Sequence, residues 1–340
     1  MQKRSTRLQI GLLTISLLIL IFRSDAAIEG AHSGIELVLS SVIPSLLPFI
    51  FLSRMLSSAL LDTNIKLLRP IGRLCGIPNG CEGFLLIGLI GGYPTGAQCV
   101  HTAYQSGGID RSAAHRLLGF CNNAGPAFIF GILSPLFSKP LIPWILWLIQ
   151  LLSALLVGIL LPNHKTPHYT SASAFSDTGT SVLESSTKAM AMICGWVILF
   201  RTALSVIWSF LPDTISVIYK VLIAGLMELS NGCCTLSEIP CEGVRFIIAS
   251  FLLSQGGICV AMQTMSIVAT LGTGMYFPGK ALQSCFAVAA AIPLQQLLFT
   301  GANQLRLQLH FHLLFPALGL LILAILYIKK SSSILAEAGV

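Results

Sequence analysis

Residues 84–98 read FLLIGLIGGYPTGAQ, and residues 221–234 read VLIAGLMELSNGCC. Each begins as an apolar helix and then meets glycines, Pro94 or a polar cluster. Irregular backbone at membrane depth is tolerated only where protein or a watery cavity surrounds it. Both segments are either full crossings or half-helices that dip in and turn back, and the topology turns on which.

The rest of the chain sets the class. It has 340 residues, 54% hydrophobic and 10% charged, with a mean hydropathy of +0.83. Ordinary soluble domains carry about 25% charged residues. So few charges cannot clothe a water-facing surface of this size, and intrinsic disorder requires low hydrophobicity. The expected fold is an all-α polytopic membrane protein. The net charge of +7 comes from 20 Lys+Arg against 13 Asp+Glu. It reads as a basic cytoplasmic rim, because no soluble basic-aromatic face for a nucleic acid is present. Most of the ten cysteines sit in apolar runs as small hydrophobes. Cys75/Cys81 and Cys233/Cys234/Cys241 fall near helix ends but lack zinc-type spacing.

Eight spans are expected if both broken segments are re-entrant: 8–22, 35–61, 115–137, 141–161, 187–211, 246–271, 284–300 and 309–328. The first also fits a signal peptide cleaved near Ser24-Asp25-Ala26, and the hydrophobic segments that follow favour an uncleaved span. With the N-terminus inside, the cytoplasmic face collects 13 basic residues, Lys280 among them, against five outside. Full crossings reduce the split to 10 against 7. The positive-inside rule favours re-entrant segments, with both termini cytoplasmic in a multi-pass cell-membrane protein.

The two segments look like copies. Gly88-Leu89 and Gly225-Leu226 lie 137 positions apart, and each is followed by a span with a polar break, Asn122-Asn123-Ala124-Gly125 or Ser254-Gln255-Gly256-Gly257. Three crossings per unit make the second copy inverted. Paired interrupted helices in inverted repeats point to a transporter's binding site. The expected units are 1–34 (first span and outer loop), 35–161 (first repeat), 162–182 (polar cytoplasmic linker), 183–300 (second repeat) and 301–340 (last span and cytoplasmic tail).

The candidate binding residues follow from this arrangement. Gly88, Gly92 and Gly96 recur every fourth position, a helix-packing pattern. Tyr93, Thr95 and Gln98 add hydrogen-bonding groups beside the break at Pro94. Asn122 and Asn123 place two carboxamides in an uncharged span, at a cost unless they are partnered. They serve either a neutral ligand rich in hydrogen bonds or helix packing. Glu228, with Ser230 and Asn231, is an intramembrane carboxylate suited to a ligand hydroxyl, a coupling cation or a proton. Arg201 is its nearest counter-charge in sequence, and Ser254 and Gln255 complete the set. Enzyme signatures fail. GMYFPGK (274–280) has Ala281 where a phosphate loop needs Ser/Thr and no strand before it, so it reads as a chance match. His310 and His312, two apart in the last span, make poor metal geometry. Neither a cofactor nor a metal is expected.

GGYPTGA (91–97), CNNAGPAFIFG (121–131), MELSNG (227–232) and SQGGICVAMQ (254–263) together resemble the YlbJ-type sporulation integral membrane proteins. Those carry the nucleoside recognition or Gate domain, also seen in nucleoside permeases and ferrous-iron transporters. In the last string the resemblance implies a Ser near position 259, where Cys259 stands. It implies a nucleoside-transporter-like half-fold with re-entrant helices and a role in spore development, notably the cortex, in an endospore former. It implies no particular substrate. Two functions follow as expectations. One is a permease-like protein holding a small polar solute between the repeats. The other is a non-transporting scaffold, homo-oligomeric or bound to spore-envelope proteins, whose polar groups serve packing.

Overall fold

The computed structural model describes residues 2–61, 65–77, 80–162, 179–212 and 214–299. The expected span 309–328, the unit 301–340, His310, His312 and most of the linker 162–182 lie outside the described residues.

Every regular element among the described residues is helical. α1 (Gln2–Phe22) leads to α2 (Ser24–Leu37), which continues through a π turn (Val38–Val42) into α3 (Ile43–Leu61). A short α4 (Arg69–Leu74) precedes α5 (Glu82–Ile90) and α6 (Thr95–Gln105). α7 (Arg111–Leu118) starts on Asp110, whose side chain accepts from the Ala113 amide at 2.7 Å. α8 (Pro126–Phe128) runs on as π and 3₁₀ turns to Leu136, and α9 (Ile142–Leu160) follows. Then come α10 (Gly179–Trp208), α11 (Val217–Met227), α12 (Leu229–Thr235), α13 (Glu242–Gln255), α14 (Gly257–Ile267) and α15 (Tyr276–Leu298).

Among the described residues five stretches are long and apolar enough to cross a membrane: Ser24–Ser57, Ile142–Leu160, Gly179–Trp208, Glu242–Ile267 and Tyr276–Leu298. Leu39, Leu52, Leu148, Leu152 and Leu199 point outward from them. An apolar exterior of this kind suits lipid rather than water. α2 lies close on α10 because a Cβ on Gly30 or Gly34 would come within 2.8 Å of Thr202 Cα or 2.9 Å of Ile198 Cα.

Both broken segments double back as helical hairpins. A Cβ on Gly232 would collide with the Gly225 backbone. Seven residues of straight helix would hold the two about 10 Å apart. Likewise Cβ atoms on Gly88 and Gly96 would both run into the backbone of Cys121, although eight helical residues span about 12 Å. At nine to eleven residues the longer arms rise only about 14–17 Å, half a hydrocarbon core.

Two expectations need correction. Gly88, Gly92 and Gly96 do not share one face of one helix. α5 stops at Ile90, and Gly92 takes φ +73° in the turn, a left-handed conformation that glycine permits. The window 115–137 is not one continuous span either, because the chain leaves the helix between Leu118 and Pro126. The break carries Asn122 and Asn123, and Pro126 can only restart a helix there. In the same way Gly256 and Gly257, at φ +78° and +77°, separate α13 from α14. The succession long helix, hairpin, broken helix, long helix therefore occurs twice: α3, α5–α6, α7–α8, α9, and α10, α11–α12, α13–α14, α15.

Candidate functional site

The two hairpin turns meet at one cavity of about 50 Å³, room for roughly three or four waters. Gly91, Gly92 and Tyr93 line it from the first hairpin, and Glu228, Leu229 and Ser230 from the second. Gly125, from the first helix break, and Cys259, in the first turn of α14, line its sides. Close approach is built in. A Cβ on Gly92 would stand 3.2 Å from Gly125 Cα, and one on Gly257 would stand 2.7 Å from the Gly225 carbonyl oxygen. Each hairpin thus rests on the glycine of the break that follows it.

Glu228 is 4% exposed. Its two oxygens accept from the backbone amides of Ser230 (3.0 Å) and Asn231 (2.8 Å), which caps α12. Arg201 is not its counter-charge. It lines a separate cavity of about 390 Å³ with Glu29, Lys220 and Glu238. No ion pair joins Arg201 to Glu228, because the carboxylate is turned into the start of its own helix.

The cation beside the cavity is Lys280, which the charge count placed on the cytoplasmic face. It lies in the first turns of α15 and is 1% exposed. Its Nζ donates to Tyr93 Oη (3.1 Å), Asn123 Oδ1 (3.2 Å) and Gln283 Oε1 (2.8 Å), and stands 5.1 Å from the Tyr93 ring centre. The site is reachable because α15 crosses the end of α7 glycine on glycine, where a Cβ on Gly279 would collide with Gly119. All three donors meet neutral acceptors, so the hydrogen bonds are satisfied, and among the described residues no ion pair balances the charge. Burying an ion costs several kcal/mol even after relaxation. Behind Lys280 a polar chain continues. Gln283 donates to Gln150 Oε1 (3.3 Å) and Gln150 to Ser254 Oγ (2.7 Å), while Ser284 donates to Gln255 Oε1 (3.1 Å).

The sequence-derived residues divide accordingly. Tyr93, Glu228 and Ser230 line the cavity, and Asn123 joins them through Lys280. Asn122 is spent on structure. Its Nδ2 donates to Thr264 Oγ1 (3.0 Å) and its Oδ1 accepts from the Ala97 amide (3.3 Å), tying α6 to α14. Asn231 Nδ2 donates to the Val197 carbonyl (3.1 Å), while its Oδ1 and the Thr95 Oγ1 are buried without a partner. Ser254 and Gln255 belong to the glutamine network. Gln98 accepts from Arg54 Nη2 (2.6 Å) in another cavity.

No family model matches the chain, and no solved structure matches it. It is 27% identical to "Sporulation integral membrane protein YlbJ" of Bacillus subtilis (strain 168), over 330 aligned positions covering 82% of this chain and 79% of that protein. This similarity supports the YlbJ family. With the apolar helices, it makes this YlbJ relative an integral membrane protein.

Sequence reasoning about this YlbJ relative missed Lys280 because it was read inside a failed phosphate-loop string. A signal existed, since Lys280 is the only charged residue between Arg245 and Arg306. Gln150 and Gln283 are equally polar intrusions into apolar runs, which intramembrane reasoning flags by default.

Proposed function

We propose that this chain is a permease-like membrane protein of spore formation, binding a small polar solute between two inverted, Gate-like repeats. The carrying observation is the cavity whose opposite walls are the two hairpin turns. Hairpin turns at the protein's centre are where broken-helix transporters hold their cargo. Glu228 takes the coupling cation or proton. Lys280, behind Tyr93, supplies positive charge with no carboxylate partner among the described residues, so the preferred solute carries an acidic or strongly accepting group. At about 50 Å³ the cavity is too small for a solute larger than a few waters, and loading it requires one half to move against the other. The name of the Bacillus subtilis relative supports a role in sporulation. A membrane of the developing spore, with both chain termini cytoplasmic, is the setting proposed for it.

The scaffold reading draws on Asn122, whose amide is wholly used in joining α6 to α14. One experiment divides the two. Glu228→Gln, Lys280→Gln and the double change of Asn122 and Asn123 to Ala are introduced in the native organism, and protein abundance and spore yield are measured together. The carrier reading expects Glu228→Gln and Lys280→Gln proteins at normal abundance with spore formation lost. Normal spore formation with either single variant refutes the site, and lost abundance with all three assigns these residues to packing.

A further inference from the structure

The cavity of about 390 Å³ that holds Arg201 lies at one end of the bundle, where α2 begins, α10 ends and the second hairpin opens. Pockets for small ligands run to about 300–1,000 Å³, so its size suits one. Glu29 lines it from α2, Arg201 and Trp208 from α10, Lys220 from α11, and Glu238 from the turn after α12. Among the described residues none of these four charged groups is held in an ion pair. Two carboxylates and two cations thus surround one space without neutralising each other. Depth separates the signs. A Cβ on Gly30 would meet Ser205 Cβ at 2.7 Å, and one on Gly34 would meet Ile198 Cα at 2.9 Å and Arg201 Cβ at 3.3 Å. α2 and α10 are therefore antiparallel, and Arg201 lies level with the stretch between Gly30 and Gly34. That is about three residues, or roughly 4.5 Å, further from the end of the bundle than Glu29. Each Cα–Cβ bond tilts toward its own helix N-terminus, so Arg201 sets out inward and Glu29 outward. Glu238, past the end of α12, is exposed at the mouth. Tyr219, Ile223 and Leu226 fall at i, i+4 and i+7 on α11 and are exposed. They form an outward stripe running from beside Lys220 toward the hairpin turn.

The geometry points to this cavity as a binding site for the headgroup of a zwitterionic aminophospholipid, phosphatidylethanolamine. Arg201 and Lys220 take the phosphate, Glu29 and Glu238 accept from the ammonium, and an acyl chain lies along the α11 stripe. A bilayer lipid carries its phosphate on the hydrocarbon side and its amine toward water, which is the order of the charges here. Trp208 sits at the mouth, where aromatic residues favour the membrane interface. A primary ammonium has three N–H donors for the two carboxylates, whereas a choline has none and a glycerol headgroup has no charge to offer. Bound lipid clamps α2 and α10 to the base of the second hairpin. The inference goes beyond the carrier reading and does not depend on it.

Thermal unfolding tests the site. The full-length protein, stripped of lipid in detergent, is melted with dioleoyl phosphatidylethanolamine, phosphatidylcholine or phosphatidylglycerol added at equal mole fraction. Phosphatidylethanolamine should raise the midpoint by about 2–4 °C, and the other two by less. Arg201→Gln should abolish that shift. Glu29→Gln combined with Glu238→Gln should leave phosphatidylethanolamine no better than phosphatidylglycerol. In detergent alone these variants should melt like the parent, because no ion pair is lost. If Arg201→Gln does not fold, Lys220→Gln removes the other phosphate contact. Glycerophosphoethanolamine, the same headgroup without acyl chains, should give no shift at the same concentration. Equal shifts from the three lipids, or a phosphatidylethanolamine shift that survives in both Arg201→Gln and Lys220→Gln, overturns the site. An equal shift from the chainless compound also overturns it, in favour of a soluble zwitterion.

Discussion

Glu228 both caps α12 and faces the central cavity, and two substitutions separate the roles. Glu228→Gln retains one of the two oxygens that accept from the Ser230 and Asn231 amides, so it should lower thermal stability less than loss of both. Glu228→Ala removes the cap and should cost about 1–2 kcal/mol. If the charge serves function, both lose spore formation equally while the alanine variant loses more stability. Tyr93→Phe deletes the hydroxyl that accepts from Lys280 and donates to the Leu253 carbonyl (3.3 Å). A loss of about 1–2 kcal/mol is expected, since buried groups lose their partner. Of the residues named from sequence, those whose chemistry is local were legible. Glycines around Pro94 end a helix, whereas the cap that Glu228 gives α12 was not read from the sequence. Lys280 and the true surroundings of Arg201 were not legible, because burial and partners depend on elements far apart in the chain.

The hairpins are the elements on which the site depends, and their glycines are testable. Val at Gly232 or Gly96 must displace backbone, of Gly225 or Cys121 respectively. Each should cost upwards of about 3 kcal/mol and abolish accumulation of the protein in membranes. An Ala→Val change at an outward position of α10, such as Ala191, should leave abundance unchanged. Direction of travel is a second test. Leu74 and Gln105 flank the first hairpin and are exposed. Cysteines placed at both should be labelled by an impermeant thiol reagent from the same water phase. Labelling from opposite phases shows a crossing and removes the hairpin from the membrane interior. The broken character of these segments was visible in the sequence as glycines, Pro94 and polar clusters. So were the breaks at Asn122–Gly125 and Ser254–Gly257, although 115–137 was still expected as one span. Apolar composition alone cannot distinguish a span from two half-helices separated by a break.

For the whole molecule, alternating access requires that contacts between the two halves break and re-form. Asn122 to Thr264 and Tyr93 to Leu253 are such contacts. Cysteines at 122 and 264 bridged by a short bifunctional thiol reagent should hold the halves together. The bridged protein should be inactive in a solute-flux assay once a solute is known, and more resistant to thermal unfolding by about 1–3 kcal/mol. Retained flux in the bridged protein overturns movement along this seam. The sequence alone determined the class, the helical content and the positions of the breaks, because hydropathy, glycine and proline act through neighbours along the chain. The tertiary structure decided that the breaks meet at one cavity, that Lys280 is buried beside it and that Arg201 belongs elsewhere. Those outcomes depend on which helices lie side by side, and close glycine contacts between distant segments set that arrangement.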